Sequence, residues 1–290
     1  MAVVNTNIAA SIAQAALARN ERSLNDAMEQ LSTGRKINSA SDNAAGLAIT
    51  TRMTSQIRGL DQAIRNAHDA VSMVQTAEGA LDEMTAMLQR IRELALQAGT
   101  GTTAAADRTF LNEEYKALML EIDRIADGTE WNGRKILNGS AGGTNLSKVA
   151  FQVGMDPKQT ISVSFGNFTN ASGKTMNSLT PGSAMTLSTA SIASALNMGS
   201  KVITAADLAI SVVSTQRANF GAIQNRLIHA VDNLTNVVTN AEVTRSRIMD
   251  TDYAAATSEL ARTQIIQQAG TAMLAQANQL PATVLQLLQS

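Results

Sequence analysis

The chain has 290 residues, of which 44% are hydrophobic, 16% charged and only 3% aromatic, and its formal net charge is −1. Charged residues are scarcer than the roughly 25% of an ordinary soluble domain, and without a Lys/Arg block the near-neutral chain is no electrostatic nucleic-acid binder. Cysteine is absent, which removes disulfides and thiolate chemistry without fixing a compartment.

From Met1 to Ala18 no side chain is charged. The stretch has neither a basic n-region nor an unbroken apolar h-region, so it is not a conventional secretory signal. Ala10, Leu17, Leu24 and Leu31 recur every seven residues, with Ala13 and Ala27 between them, the pattern of a helix with one narrow apolar seam. STGRKINSASDNAAG follows and reads as a break, with Asp42 or Ser41 placed to cap the next helix.

That helix is long. Ile57, Leu60, Ile64, Ala67, Val71, Val74, Leu81, Leu88, Ile91 and Ala95 keep a 3–4 spacing, interrupted by Glu78 and Thr85. A helix from Ala44 to Ala98 spans roughly 80 Å at 1.5 Å per residue. GTGTTAAAD turns the chain, and Leu111, Tyr115, Leu118, Ile122 and Ile125 mark a shorter helix that ends at the polar, turn-rich DGTEWNGRKILNG. VAFQV and TISVSF, joined by GMDPKQ, read as a β-hairpin, and an Asn/Ser/Gly/Thr-rich loop follows. Helical spacing returns with Phe220, Ile223, Leu227, Ala230, Leu234, Val237, Ala241 and Ile248. MDTDY supplies capping aspartates, Asp250 or Asp252. In the last helix Ala269, Met273, Ala277, Leu280, Val284 and Leu287 fall in line, and Pro281 should bend it or mark its final turn.

From Thr263 to Ser290 there is again no Asp, Glu, Lys or Arg. The segment is too polar for lipid, because no run of about 18 apolar residues occurs. The expected fold is mainly α: an elongated antiparallel helical bundle or coiled-coil rod built from both ends of the chain, with a small β-hairpin region in the middle. Residues 1–43 and 250–290 form a terminal helical domain, and 44–249 a helical rod domain with the hairpin insertion at about 146–181. Two terminal helices that merely paired would carry Lys and Glu on their outer faces. These carry Ala, Gln, Thr and Asn, so further copies of the chain should cover them. Small residues permit close approach, and Gln satisfies hydrogen bonds without the cost of burying an ion. Repeated head-to-tail without closure, such a contact gives a helical filament.

LSTGRKINSASDNAAGLAI (31–49), LQRIRELALQAG (88–99), EIDRIADGTEWNGRKIL (121–137), NLTNVVTNAEVTRSRIMDTDYA (233–254) and QIIQQAGTAMLAQANQLPATVLQLL (264–288) closely resemble bacterial flagellins, over about residues 1–165 and 190–290. The resemblance implies a structural subunit of the flagellar filament, the propeller of motility, in a short form without large outer domains. It implies secretion through the flagellar type III apparatus to an extracellular filament. The implied partners are the chain itself as an open homopolymer, an export chaperone, and cap and junction proteins. Leu17, Leu24, Leu31, Ala269, Met273, Leu280, Val284 and Leu287 would pack the inner core of the filament. Ile57, Leu60, Ile64, Val71, Val74, Phe220, Ile223, Leu227, Leu234 and Val237 would form the rod-domain seam. In flagellins of many β- and γ-proteobacteria the face at 88–99 is recognised by Toll-like receptor 5, and the matching positions are Gln89, Arg90 and Leu94, with Glu114 on the adjacent helix. Arg90 would supply a planar multi-donor contact and Leu94 an apolar anchor, although ALM at 117–119 is apolar where receptor-active relatives tend to be polar.

Catalytic and cofactor chemistry finds no constellation. His68 and His229 have no His or Cys partner at ligand spacing. SGKT (172–175) lacks the glycine a phosphate loop needs at position 168, where Phe168 stands. No cofactor, metal, nucleic-acid or membrane partner is expected, and no enzyme. Ser and Thr crowd 160–194, a region glycosylated in some flagellins. The competing readings are a hook–filament junction protein and a secreted coiled-coil binding protein acting as a monomer.

Overall fold

The computed structural model describes residues 7–142, 148–169 and 195–289, with side-chain surroundings set aside for 195–201 and 280–289. Among the described residues, five helices and four short strands follow one another: α1 Ile8–Thr33, α2 Ala40–Gly99, α3 Ala105–Gly128, β1 Glu130–Trp131, β2 Arg134–Lys135, β3 Lys148–Gln152, β4 Thr160–Ser164, α4 Ala195–Met249 and α5 Tyr253–Gln289. The fold is mainly α, with two small antiparallel strand pairs. Two compact units result, residues 1–57 with 239–290, and residues 58–238. The division falls inside the ranges of α2 and α4, after the turn motif at 43 and before the one at 250. Turn residues mark where helices stop, whereas compact units follow packing.

Residues 58–238 hold the larger core. On α2, Val74, Ala77, Leu81, Met84, Leu88, Ile91, Leu94, Ala95 and Ala98 are buried at 3–4 spacing, the stripe of a helix with one apolar face. Tyr115, Ile122 and Ala126 of α3, Val202, Ala206, Val213 and Phe220 of α4, and Phe165 and Phe168 beyond β4 complete it. The rings of Phe165 and Phe220 lie 5.5 Å apart at 54°, within the range of favourable aromatic pairs. Burial also pushes the Tyr115 hydroxyl up to about 12, because desolvation disfavours the phenolate.

The polar interruptions of the α2 stripe have partners. The half-buried Glu78 carboxylate accepts from Gln224 Nε2 at 2.9 Å, and Thr85 Oγ1 donates to the Leu81 carbonyl at 2.7 Å. Arg217–Asp82 at 2.8 Å and Arg92–Asp207 at 2.6 Å run α4 antiparallel to α2.

Of the expected rod-domain seam, Ile57, Leu60, Val74, Phe220 and Leu227 are buried, and Ile64, Val71, Ile223 and Leu234 half-buried. Val237 departs from it: its side chain is exposed, and Val238 takes the inward place. After Leu234 the period of 3.6 calls for a step of four, not three.

The hairpin falls on the two β-rich runs, with Val149 opposite Val163 and Phe151 opposite Ile161. Ile161 and Val163 are buried and alternate with exposed Thr160 and Ser162. Gln216, almost wholly buried, donates Nε2 to the Ser164 carbonyl at 2.6 Å and ties the hairpin to α4. A second, tiny hairpin hides in DGTEWNGRKILNG. Trp131 pairs with Arg134 across Asn132 and Gly133, whose φ angles are 50° and 73°, the Asn-Gly signature of a two-residue turn.

Candidate functional site

In residues 1–57 with 239–290, α1 and α5 run antiparallel and meet along a thin seam. On α1 the inward positions are Ala10, Ala13, Leu17, Asn20, Leu24, Ala27 and Leu31, half-buried or buried. On α5 they are Ala256, Leu260, Thr263, Gln267, Gly270, Leu274 and Ala277. Each set alternates steps of three and four, the heptad rule of paired helices. Small residues let the helices close up: a Cβ at Gly270 would stand 2.7 Å from Leu17 Cδ2, so Leu17 seats where α5 has no side chain.

The seam is keyed by polar residues. Asn20, 9% exposed, donates Nδ2 to the Thr263 carbonyl at 2.8 Å and to Gln267 Oε1 at 3.0 Å. Thr263 satisfies its own hydroxyl by donating to the carbonyls of Glu259 and Leu260, both at 2.9 Å. Buried polar groups are tolerated when paired and penalised when not. A seven-residue slip of α1 would set Asn20 against Ala256 and Leu260, or against Gly270 and Leu274. Neither pair offers a side-chain acceptor.

At the far end the turn after α1 is stitched to the turn between α4 and α5. Gly34 closes α1 in the left-handed region at φ 69°, the usual helix stop. The Lys36 amide donates to the Met249 carbonyl at 2.7 Å, and the Thr251 amide to the Gly34 carbonyl at 3.1 Å. The regular part of α2 is capped by Asn43, whose Oδ1 accepts from the Gly46 amide at 2.8 Å. Asp42, expected as a cap, reaches backward instead: Oδ2 accepts from the Asn38 and Ser39 amides, each at 2.9 Å. Those bonds, Ser39 first, hold its carboxyl below the usual carboxylate range.

Away from the seam, α1 and α5 show large apolar side chains that no described residue covers. Ile12, Ile265 and Met273 are each 66% exposed, and Ile8 and Met28 exceed half. The inner-core positions therefore divide. Leu17, Leu24 and Leu31 lie on the α1–α5 seam; Ala269 and Met273 do not, and face outward. Of the described side chains on the expected apolar line of α5, only Ala277 meets the seam, because close approach to α1 is made by Ala256, Thr263, Gly270 and Ala277. The side chains of Leu280, Val284 and Leu287 lie outside the described residues. α5 continues helically through Pro281 to Gln289, so the proline does not end it. Among the described residues, no helix is long and apolar enough to cross a membrane.

The 88–99 face is more divided than its motif suggests. Gln89, Arg90 and Glu114 are exposed. Arg90 donates Nε to Glu114 Oε1 at 2.9 Å and Nη1 to Glu93 Oε2 at 3.1 Å. These bonds, Glu114 first, raise the guanidinium above its ordinary value. Leu94 is 0% exposed and offers no apolar anchor. It belongs to the α2 stripe that faces the core. In the ALM run, Leu118 and Met119 pack partly against that core, which accounts for their apolar character. His68 and His229 are exposed, and SGKT lies outside the described residues.

Terminal helices paired along a thin seam, with apolar side chains exposed on their uncharged ends, mark a mainly α-helical chain with an open apolar surface. The bacterial flagellin N-terminal helical region matches residues 4–142 and the C-terminal helical region residues 203–288. The chain belongs to the flagellin family, the structural subunits of the bacterial flagellar filament. It is similar to flagellin of Halalkalibacterium halodurans, 42% identical over 287 residues covering 99% of this chain and 100% of that one. It is also similar to flagellin A of Vibrio cholerae, 36% identical over 377 aligned positions with 99% of each covered. Among solved structures, Bacillus cereus flagellin aligns at 29% identity over 59% of this chain and 88% of that one, with a TM-score of 0.47.

Proposed function

We propose that this flagellar subunit polymerises through the outer faces of α1 and α5, and that the resulting filament is the extracellular propeller. The observation that carries the reading is Ile12, Ile265 and Met273 exposed on two helices whose termini carry no charge. In water an apolar face of this kind costs free energy, which association recovers at about 25 cal/mol per Å² buried. Seeded assembly tests it. Long filaments should grow from the intact chain and not from one lacking 263–290. Growth from both versions would remove the role given to α5, and growth from neither would favour a junction protein or a monomeric ligand. An export chaperone covering the same uncharged C-terminal face before assembly fits this reading.

A second reading concerns the receptor. Gln89, Arg90 and Glu114 form an exposed, hydrogen-bonded polar cluster, which supports a contact with Toll-like receptor 5 centred on Arg90 rather than Leu94. Arg90→Ala should lower activation in receptor-expressing cells while the fold is retained, and unchanged activation would dismiss it.

A further inference from the structure

Pro281 sits inside a helix, where proline is ordinarily a defect. An α-helical carbonyl is satisfied by the N–H four residues on, and for Ala277 that residue is 281. Proline has no N–H, so Ala277 is left with an orphan acceptor within a helix that continues to Gln289. Asn7 takes it. Its Nδ2 donates to the Ala277 carbonyl at 2.8 Å, while its Oδ1 accepts from the Ala10 amide at 3.0 Å and caps α1. One side chain thus fills a vacancy at each helix: an unpaired donor at the start of α1 and an unpaired acceptor in α5.

We propose that Pro281 is a docking signal: by withholding its N–H it frees the Ala277 carbonyl, and Asn7 latches the start of α1 onto that point of α5. The position along the helix is specific. An interior helical carbonyl keeps a second lone pair, as Thr263 shows by accepting from Asn20, but the Ala277 carbonyl lacks its helical donor, so it is the stronger acceptor and Asn7 supplies its main bond. Ala277 is itself buried on the seam, leaving a side-chain amide room to reach its carbonyl. Asn suits the task because its amide donates and accepts at once; an Asp at position 7 would cap α1 equally well but have no proton to give Ala277. The latch anchors one end of the pair, and Asn20 with Thr263 and Gln267 keys the middle. Its use in positioning the outer faces for copies rests on the filament reading, while the latch itself belongs to the single chain.

The proposal makes an unusual demand on Pro281→Ala. Restoring an N–H at 281 should strengthen α5 locally yet weaken the docking of α1, because the Ala277 carbonyl then divides its acceptor capacity between an intrahelical donor and Asn7. The test is a double-mutant cycle on full-length chains, Asn7→Ala, Pro281→Ala and both. It is read by hydrogen exchange at the α1 amides, with isotope-labelled variant chains co-grown as a minority in wild-type filaments. Asn7→Ala should lower α1 protection about fivefold, the factor one net hydrogen bond contributes, and Pro281→Ala should lower it by a smaller factor. The double variant should lose no more than Asn7→Ala alone, since Pro281→Ala acts only through the bond that Asn7 makes. Losses that multiply, or a Pro281→Ala chain with unchanged α1 protection, would overturn the latch. If wild-type chains form no filaments, the assembly reading fails separately. The same cycle is then read in the free chain, where unprotected α1 amides in the wild type would overturn the latch too.

Discussion

The two compact units solve the problem of burial differently. In residues 58–238, Leu81, Met84, Leu88, Ile91, Leu94, Phe165 and Phe220 have no accessible surface at all. α2, α3, α4 and the hairpin supply walls on several sides. In residues 1–57 with 239–290, two helices share one seam whose buried members are chiefly small or polar: Asn20, Ala27, Ala256, Thr263 and Ala277. A pair of helices touching along one stripe leaves its larger seam residues, Leu17, Leu24, Leu31, Leu260 and Leu274, only half-buried, and Ile8, Ile12, Ile265 and Met273 exposed. The first unit is complete as a single chain. The second has the composition of a partial core whose remaining walls must come from elsewhere.

This contrast can be broken by mutation, and the largest effect belongs to the complete core. Phe220→Ala removes a fully buried ring that packs at a tilt against Phe165, and should destabilise residues 58–238 by about 3–5 kcal/mol. Calorimetry should show that unit melting earlier, with amide protection along the α1–α5 seam unchanged. Gly270→Val comes next. It places a β-branched side chain where Leu17 already sits 2.7 Å from a Cβ position, and overpacking of this sort costs about 1–3 kcal/mol. The damage should appear as slower filament growth, with the melting of residues 58–238 unaffected.

Asn20→Leu sharpens the contrast further because its stability effect is small and its specificity effect is not. An apolar residue removes the buried amide, so α1–α5 pairing should hold or strengthen by up to about 1 kcal/mol, while the register loses its key. Spin labels on exposed positions of α1 and α5 should give one distance in wild type and two or more in the variant. A heptad slip moves the helices by about 10 Å along the axis. A single unchanged distance would show that Leu17 against Gly270 sets the register alone.

The smallest expected effect is the acid response of the turn at 38–42. Asp42 is held below its ordinary range by the Ser39 and Asn38 amides. Its contribution is therefore present above the unfolded carboxylate value and is lost as pH falls through the lowered one. Amide protection at Asn38 and Ser39, corrected for intrinsic exchange, should be flat from neutral pH down to about pH 4 and fall below it. Asp42→Asn should abolish that fall.

Much of the fold was legible because it obeys simple periods. The heptad of Ala10, Leu17, Leu24 and Leu31, the long 3–4 stripe of α2 and the alternation in TISVSF each bury one face. The turn 32–46 announced itself through Gly34 and its polar neighbours. What escaped were places where size or polarity ran against the pattern. Asn20 occupies a seam position between Ala13 and Ala27, at the same seven-residue interval. That spacing was the available signal, overlooked because the residue is polar. The apolar line of α5 through Ala269, Met273 and Ala277 follows the rule that apolar bulk marks the inside, yet only Ala277 is buried, and Met273 is displayed. Leu94 matched a surface motif, yet its spacing from Leu88 and Ile91 already placed it with the buried stripe.

The central claim is that the outer faces of α1 and α5 are covered by other copies of the chain. Because the chain has no cysteine, Met273→Cys or Ile12→Cys gives a single reporter on each face. Maleimide labelling should be fast in the free subunit and sharply slower in seed-grown filaments at both positions. Equal labelling rates in the two states would contradict the claim, since the faces would then meet water in the filament as they do in the single chain.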